Sequence, residues 1–310
     1  MTDHTCIAGV NMVLGGNVFG WTIDRDRSFE ILDAFYEAGG RMIDSAEGYS
    51  AWVPGNKGGE SETIIGEWLE SRVVRSDMRI GTKTGMAQTR ECLQEAAVAS
   101  ALEGCLERLH TDYLDLFYVH MDNGQTPLDD IAVAYDATVR SGKVREIGLS
   151  NTVGERLTGL FEATDRLGTT PFSVIQPKHN FVFRSEFSGP MLELAKARGI
   201  AVFPYYSLAS GFLTGKFKSN DDWASTMRSF TIDEFGTPAG WDALHVLEAM
   251  AKEAGASPAQ YALAWLAAQD GITAPIVSAT STAQLAETMK FLSVDLPSEQ
   301  LATLDGAFAG

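Results

Sequence analysis

Residues 91–120 read ECLQEAAVASALEGCLERLHTDYLDLFYVH. Helical spacing runs through 91–109 and leads, with almost no break, into an apolar strand at 114–120 that closes on His120. This helix-into-strand unit repeats in both directions. Towards the N-terminus lie a strand at 78–83 ending on Lys83, a helix at about 61–72, and a short strand at 42–43 ending on Asp44. Before these, a helix at 28–38 carries Phe29, Leu32, Phe35 and Tyr36 at helical spacing and stops at Gly39-Gly40, and an apolar run occupies 12–14. Towards the C-terminus, a helix opens near Pro127 and ends at Ser141-Gly142, followed by a strand at 144–149. A helix to about Leu167, a strand at 172–176, a helix at 186–197 and a strand at 200–205 continue the alternation. Helices at 241–254 and 258–269, a strand near 273–277, and helices at 282–290 and 297–307 complete it.

Strands alternating with helices at this regularity imply βαβ units and a parallel sheet. Eight such units without a linker or a shift in composition predict one closed (β/α)8 TIM barrel over residues 1–310. The competing doubly wound sheet would carry G-x-G-x-x-G after its first strand if it bound a dinucleotide; that place reads Gly15-Gly16-Asn17-Val18-Phe19-Gly20. Two segments stand outside the alternation: residues 49–59, rich in glycine and carrying Trp52, and residues 217–240, with Trp223, Phe230 and Phe235. Long loops of this kind often bind ligands, so both are candidate active-site loops.

Composition narrows the partners. The chain has 310 residues, 45% of them hydrophobic and 21% charged, with a net charge of -17. Such an acidic surface repels nucleic acid and anionic membranes, and no stretch approaches the roughly 20 apolar residues of a membrane span. Cys6, Cys92 and Cys105 are odd in number and widely spaced, which fits a reducing compartment, not a disulfide framework. The opening MTDHTCIAGVNM lacks the pattern of a secretory signal, and the expected location is the cytoplasm.

In a parallel barrel the chemistry gathers where strands end. Asp44, Lys83 and His120 end three successive strands, and Tyr49 lies five residues beyond Asp44, so all four are expected on one rim. Each alone has an ordinary reading: a helix cap, a solvated lysine, a core histidine, a packed tyrosine. Together they suit acid–base work. A tyrosine hydroxyl titrates at about 10, and a neighbouring ammonium favours its ionised form. Lys83 can supply that ammonium with Asp44 holding it, while His120 orients a substrate oxygen. None of the four is an obvious nucleophile, which points to a hydride from a cofactor and a small carbonyl or alcohol substrate.

The order of these four residues resembles the aldo-keto reductases. So do the stretches Asp44-Ser45-Ala46-Glu47-Gly48-Tyr49, Gly59-Glu60-Ser61-Glu62, Thr82-Lys83-Thr84, residues 114–120, residues 142–151, Gln176 and residues 211–216. The resemblance spans nearly the whole chain. It implies reversible reduction of an aldehyde or ketone by NADP(H), with Tyr49 the proton donor, Lys83 and Asp44 tuning it, and His120 orienting the carbonyl. It further implies that Asp44, Ser150, Asn151 and Gln176 meet the nicotinamide end and that Tyr205 stacks on its ring. Asn17, Val18, Leu208, Gly211 and Lys216 would border the dinucleotide, and Thr280, Ser281, Gln284, Glu287 and Thr288 would hold its adenosine half. The family often has a basic residue near 278–280, whereas here no Lys or Arg occurs from Gly271 to Met289, so NAD(H) is an open alternative. Ser207 replaces a common proline, Thr288 a common asparagine, and the usual hairpin at the barrel floor is expected to be reduced.

An apolar substrate pocket is expected from Val18, Trp21, Trp52, Met121 and the aromatics of 217–240. Two other functions compete: a nicotinamide-binding regulatory or sensing subunit with little turnover, and an unrelated barrel hydrolase or lyase using Asp44 and His120, with or without a metal.

Overall fold

The structure is a computed structural model that describes residues 6–87, 89, 91–224, 226 and 229–308. The first five residues of the opening stretch and the side chain of Phe230 lie outside the described residues. Eight parallel strands are present: β1 (Val13–Gly15), β2 (Met42–Asp44), β3 (Arg79–Thr84), β4 (Leu114–Val119), β5 (Val144–Ser150), β6 (Val174–Gln176), β7 (Ala201–Val202) and β8 (Ile276–Val277). Neighbours in sequence are neighbours in the sheet, and β8 pairs with β1. The ring closes where Thr273 N–H and Ile276 N–H donate to Val202 O (2.9 Å) and Pro204 O (3.0 Å). A doubly wound sheet would reverse strand order partway; this one does not. The (β/α)8 barrel read from the alternation is the fold.

The helices are α1 (Arg25–Glu37), α2 (Glu60–Arg72), α3 (Glu95–Arg108), α4 (Leu128–Arg140), α5 (Gly154–Leu167) and α6 (Pro190–Arg198). After β7 come α7 (Ser229–Ile232), α8 (Pro238–Glu253), α9 (Pro258–Ala267), α10 (Thr282–Met289) and α11 (Ser298–Ala307). Local chemistry sets their ends. The Asp24 carboxylate accepts from Arg27 N–H at the start of α1, and Ser257 with Gln260 forms a reciprocal cap before α9. Four starts differ from expectation: α1 begins at Arg25, ahead of Ser28, on that Asp24 cap, and three others follow. Residues 91–94 form turns before α3, so Cys92 precedes the helix. The α6 helix waits for Pro190 at its first position, after Gly189 with φ of 49°. The α8 helix begins at Pro238 because the Thr237 hydroxyl caps it from Gly240 N–H.

Alternation along the strands divides the core. Val13, Met42, Leu116, Tyr118, Val174, Ala201, Phe203, Ala274 and Ile276 point inward with Ile7, which closes the barrel floor where a hairpin was expected to be reduced. The outward residues, among them Leu14, Ile43, Ile80, Phe117, Ile147 and Ile175, pack beneath the helices. Gly148 makes the inner layer possible: a Cβ there would lie 2.6 Å from the Tyr118 ring. No helix among the described residues is long and apolar enough to cross a membrane.

Candidate active site

The inward alternation places one polar layer above the apolar interior. Asp44 follows Met42, Lys83 follows Gly81, Ser150 follows Gly148 and Gln176 follows Val174, each two residues further towards the carboxyl rim. Strand register brings Asp44 beside Gly81, Lys83 beside Tyr118, and Ser150 beside Gln176.

Lys83 is the hub. Its ammonium donates to Asp44 Oδ2 at 2.5 Å, to the Ser45 carbonyl at 2.7 Å and to the Tyr49 hydroxyl at 3.0 Å. Lys83 and Asp44 are both buried. The other Asp44 oxygen accepts from Gln176 Nε2 at 2.9 Å. His120 lies edge-on to Tyr49, with ring centroids 5.7 Å apart. Its Nδ1 is buried without a partner among the described residues. Asn151 donates to His120 O at 2.8 Å and accepts from Tyr205 OH at 2.8 Å, so its one amide side chain ties the His120 backbone to the Tyr205 hydroxyl.

The electrostatics differ from the simple expectation for Tyr49. Burial raises its pKa, and this outweighs the lowering by Lys83, so the phenol is held protonated. Burial alone would discharge Lys83, but Asp44 and Tyr49 together outweigh it and raise the ammonium's pKa. Burial first, then the Lys83 charge, pushes His120 down to about 3, so its ring is neutral. The site therefore presents a neutral phenol, a neutral imidazole and one ammonium.

Tyr49 and His120 open into a cleft of about 400 Å³, with Lys83 buried behind Tyr49 and outside the lining. Of the residues expected around it, Asn17, Trp21, Asp44, Tyr49, Trp52, His120, Ser150, Asn151, Gln176, Tyr205, Leu208, Gly211, Lys216 and Gln284 line it. Several others do not. Val18 is fully buried in the core beneath the turn after β1, and Met121 does not border the cleft. Thr280 binds the Gln284 side chain, Ser281 caps α10, Glu287 pairs with Gln260 and Lys290, and Thr288 is buried. Of the aromatics expected from 217–240, Trp223 and Phe235 do not border the cleft. Trp223 stacks on Trp241 at 5.9 Å and Phe235 packs on Phe183 and Tyr206, because the segment packs into a second apolar cluster shared with α8, α9 and α11. Thr231 of α7 borders the cleft instead.

Sequence reading missed Met86, Tyr206, Ser210 and Ser278 in the lining. Met86 lies three residues beyond Lys83, and Ser210 sits beside Gly211, so proximity to strand ends and to the 211–216 motif was an available signal. Tyr206, Ala209 and Ser210 hold positive φ of 56°, 49° and 55° without being glycine. Ser210 Oγ is buried with no partner among the described residues. A strained loop that leaves a buried hydroxyl unpaired fits a bound ligand. The lining of the cleft runs from Tyr49 to Gln284 and carries both apolar and polar groups. Among the described residues, no three of His, Cys, Asp and Glu gather as metal ligands.

The chain is an eight-stranded parallel barrel with a half-buried tyrosine over a buried lysine–aspartate pair at its carboxyl rim. The chain belongs to the aldo/keto reductase family, whose model matches residues 11–308. It is 31% identical to an uncharacterized oxidoreductase, YrpG, of Bacillus subtilis (strain 168), covering 96% of this chain and 92% of that one. It is 28% identical to norsolorinic acid reductase of Aspergillus flavus over 92% and 72% of the two chains. It is also 28% identical to a probable voltage-gated potassium channel subunit beta of Oryza sativa subsp. japonica, over 89% and 85%. Family and relatives support oxidoreductase chemistry.

Proposed function

We propose that this protein reduces an aldehyde or ketone to the alcohol, reversibly, with Tyr49 giving the proton. The observation that carries the reading is the Tyr49 hydroxyl held 3.0 Å from the Lys83 ammonium at the base of the cleft. A bound nicotinamide dinucleotide would supply the hydride. Tyr205, Asn151, Ser150 and Gln176 would hold its nicotinamide end, and Ser210, Gly211 and Lys216 its middle. NADP(H) is taken from the family resemblance, and the lack of Lys or Arg from Gly271 to Met289 favours NAD(H) as the alternative.

The chain's own groups divide the work. Tyr49, kept protonated by burial, donates its proton to the substrate oxygen as negative charge develops there. Lys83 then stabilises the phenolate left behind, and Asp44 keeps the ammonium charged and in place. His120, neutral, hydrogen-bonds the same oxygen and sets its angle. Trp21 and Trp52, edge to face at 5.3 Å, wall the mouth with Met86 and suit an apolar substrate.

The test is oxidation of NADPH and NADH across a broad panel of aldehydes and ketones, with Tyr49→Phe alongside. The variant is expected to bind dinucleotide as the wild type does and to lose about 10²–10⁴-fold in turnover. Unchanged turnover would remove Tyr49 from the role. A second reading, a dinucleotide-binding regulatory subunit, is favoured by the potassium channel subunit beta among the relatives. Binding without oxidation of either dinucleotide by any carbonyl would support it.

A further inference from the structure

Glu47 lies between Asp44 and Tyr49, yet it does not border the cleft. Among the described residues, its side-chain and N–H hydrogen bonds go to the end of β3. Its N–H donates to the Lys83 carbonyl at 3.0 Å. Its Oε1 accepts from the Thr84 hydroxyl at 2.5 Å and from Gly85 N–H at 3.0 Å. Thr84 in turn accepts from His120 N–H at 2.8 Å through its carbonyl. Gly48 allows the close approach: a Cβ there would lie 2.5 Å from Met86 Sδ. One carboxylate thus joins the turn that carries Tyr49, the strand that carries Lys83, and the residue that tethers His120.

We propose that Glu47 is a positioning residue that fixes the Tyr49–Lys83 separation; this rests on the acid–base reading of Tyr49 above. It acts through its acceptor oxygen, and the geometry asks for that oxygen rather than for the negative charge. Thr84 and Gly85 each present one N–H or O–H donor, and both point at the same Oε1. Without that acceptor the turn at 46–49 keeps only one backbone bond to β3 from Glu47. Tyr49 is then free to drift from Lys83, and displacements of about 1 Å in such a site cost up to roughly a hundredfold in rate.

The experiment compares Glu47→Ala, Glu47→Gln and Thr84→Val in the full chain. Glu47→Gln keeps an acceptor oxygen; Thr84→Val removes one donor with little change of shape. Turnover number is expected to fall roughly 10–100-fold in Glu47→Ala, with dinucleotide affinity within about twofold of wild type, and to stay near wild type in Glu47→Gln. Thr84→Val is expected to fall in the same direction as Glu47→Ala, and it replaces that variant if Glu47→Ala does not fold. A readout independent of turnover is the ¹³Cζ resonance of Tyr49 in tyrosine-labelled protein, assigned by its loss in Tyr49→Phe. It is expected to move towards that of a tyrosine without a cationic partner in Glu47→Ala and to stay put in Glu47→Gln. An unmoved resonance and wild-type turnover in Glu47→Ala would overturn the proposal, as would a Glu47→Gln variant as impaired as Glu47→Ala. If the wild type reduces no carbonyl, the proposed function fails, and the resonance still decides the role of Glu47.

Discussion

Asp44 and Gln176, 132 residues apart in sequence, are joined across the barrel mouth by a 2.9 Å hydrogen bond from Gln176 Nε2 to Asp44 Oδ1. Since Asp44 Oδ2 holds Lys83, both oxygens of this buried carboxylate are engaged. The cost of folding two charges into the barrel is offset only while each has its partner. Removing Lys83 alone strands the carboxylate. Lys83→Met is expected to lose about 3–5 kcal/mol of stability, as is usual for breaking a buried pair from one side. The double variant Lys83→Met/Asp44→Asn is expected to recover part of that loss. Denaturant unfolding of wild type, single and double variants measures both, and equal stability of the single and double variants would refute the pairing argument.

Two histidines buried among the described residues, His120 and His179, set an acid limit. Burial, then the Lys83 charge, holds His120 at about 3; burial, then Arg184, holds His179 at about 4. In the unfolded chain both titrate at about 6.5. The unfolded state therefore binds protons that the folded state refuses, so stability is full above pH of about 6.5 and falls as pH drops towards 4. His179 lies between Phe187 and Trp265, away from the chemistry. His179→Leu is expected to flatten part of this slope, measured as melting temperature against pH. In the wild type, turnover is expected to show no ionisation near 6.5, because His120 stays neutral through that range. An inflection there that vanishes in His120→Asn would contradict the neutral-histidine reading.

The strand ends were legible because chemistry and topology coincide there. Asp44 and His120 close apolar runs and Lys83 comes near the end of the strand between them, and a parallel barrel puts every such residue on one rim. Tyr49 followed by proximity to Asp44. The cleft walls were less legible for a physical reason. A strand's period of two says which side chains point inward, but loops carry no period. Val18 and Trp223 have the composition of pocket residues and the position of core residues. Ser210 and Tyr206 were hidden because both hold positive φ without being glycine, which no pattern in the sequence announces. Even the tyrosine's electrostatics depended on burial: the Lys83 charge is visible in the sequence, whereas the desolvation that outweighs it is not.

Trp52 is 46% exposed, and its ring packs edge-on to Trp21 and Tyr49. It stands at the mouth, outside the proton path, so its contact with a substrate ring changes little between ground and transition state. Trp52→Ala is therefore expected to raise KM for aromatic aldehydes roughly 3–10-fold, with turnover number little changed. Short aliphatic aldehydes, which cannot reach the mouth, are expected to show a smaller effect. Steady-state kinetics on matched aryl and alkyl aldehydes decides it; equal effects on both would remove Trp52 from substrate contact.

Lys178, two residues beyond Gln176, ion-pairs with Glu234 of the 217–240 segment. Its ammonium also sits 4.4 Å from the Phe183 ring centroid and 5.3 Å from that of Phe235. This one side chain fastens the segment carrying Thr231 to the barrel rim over the cleft. A caged, ion-paired ammonium of this kind contributes about 0.5–2 kcal/mol. Lys178→Ala is expected to loosen the segment without disturbing the barrel: proteolysis within 217–240 quickens, and bound dinucleotide dissociates roughly 3–10-fold faster. Lys178→Arg, which keeps the charge and the stacking surface, is expected to retain most of the protection. Stopped-flow release of dinucleotide, followed by tryptophan fluorescence, gives the rate. Unaltered release together with unaltered cleavage in Lys178→Ala would show that the segment is held by its apolar packing against α8 and α9 alone.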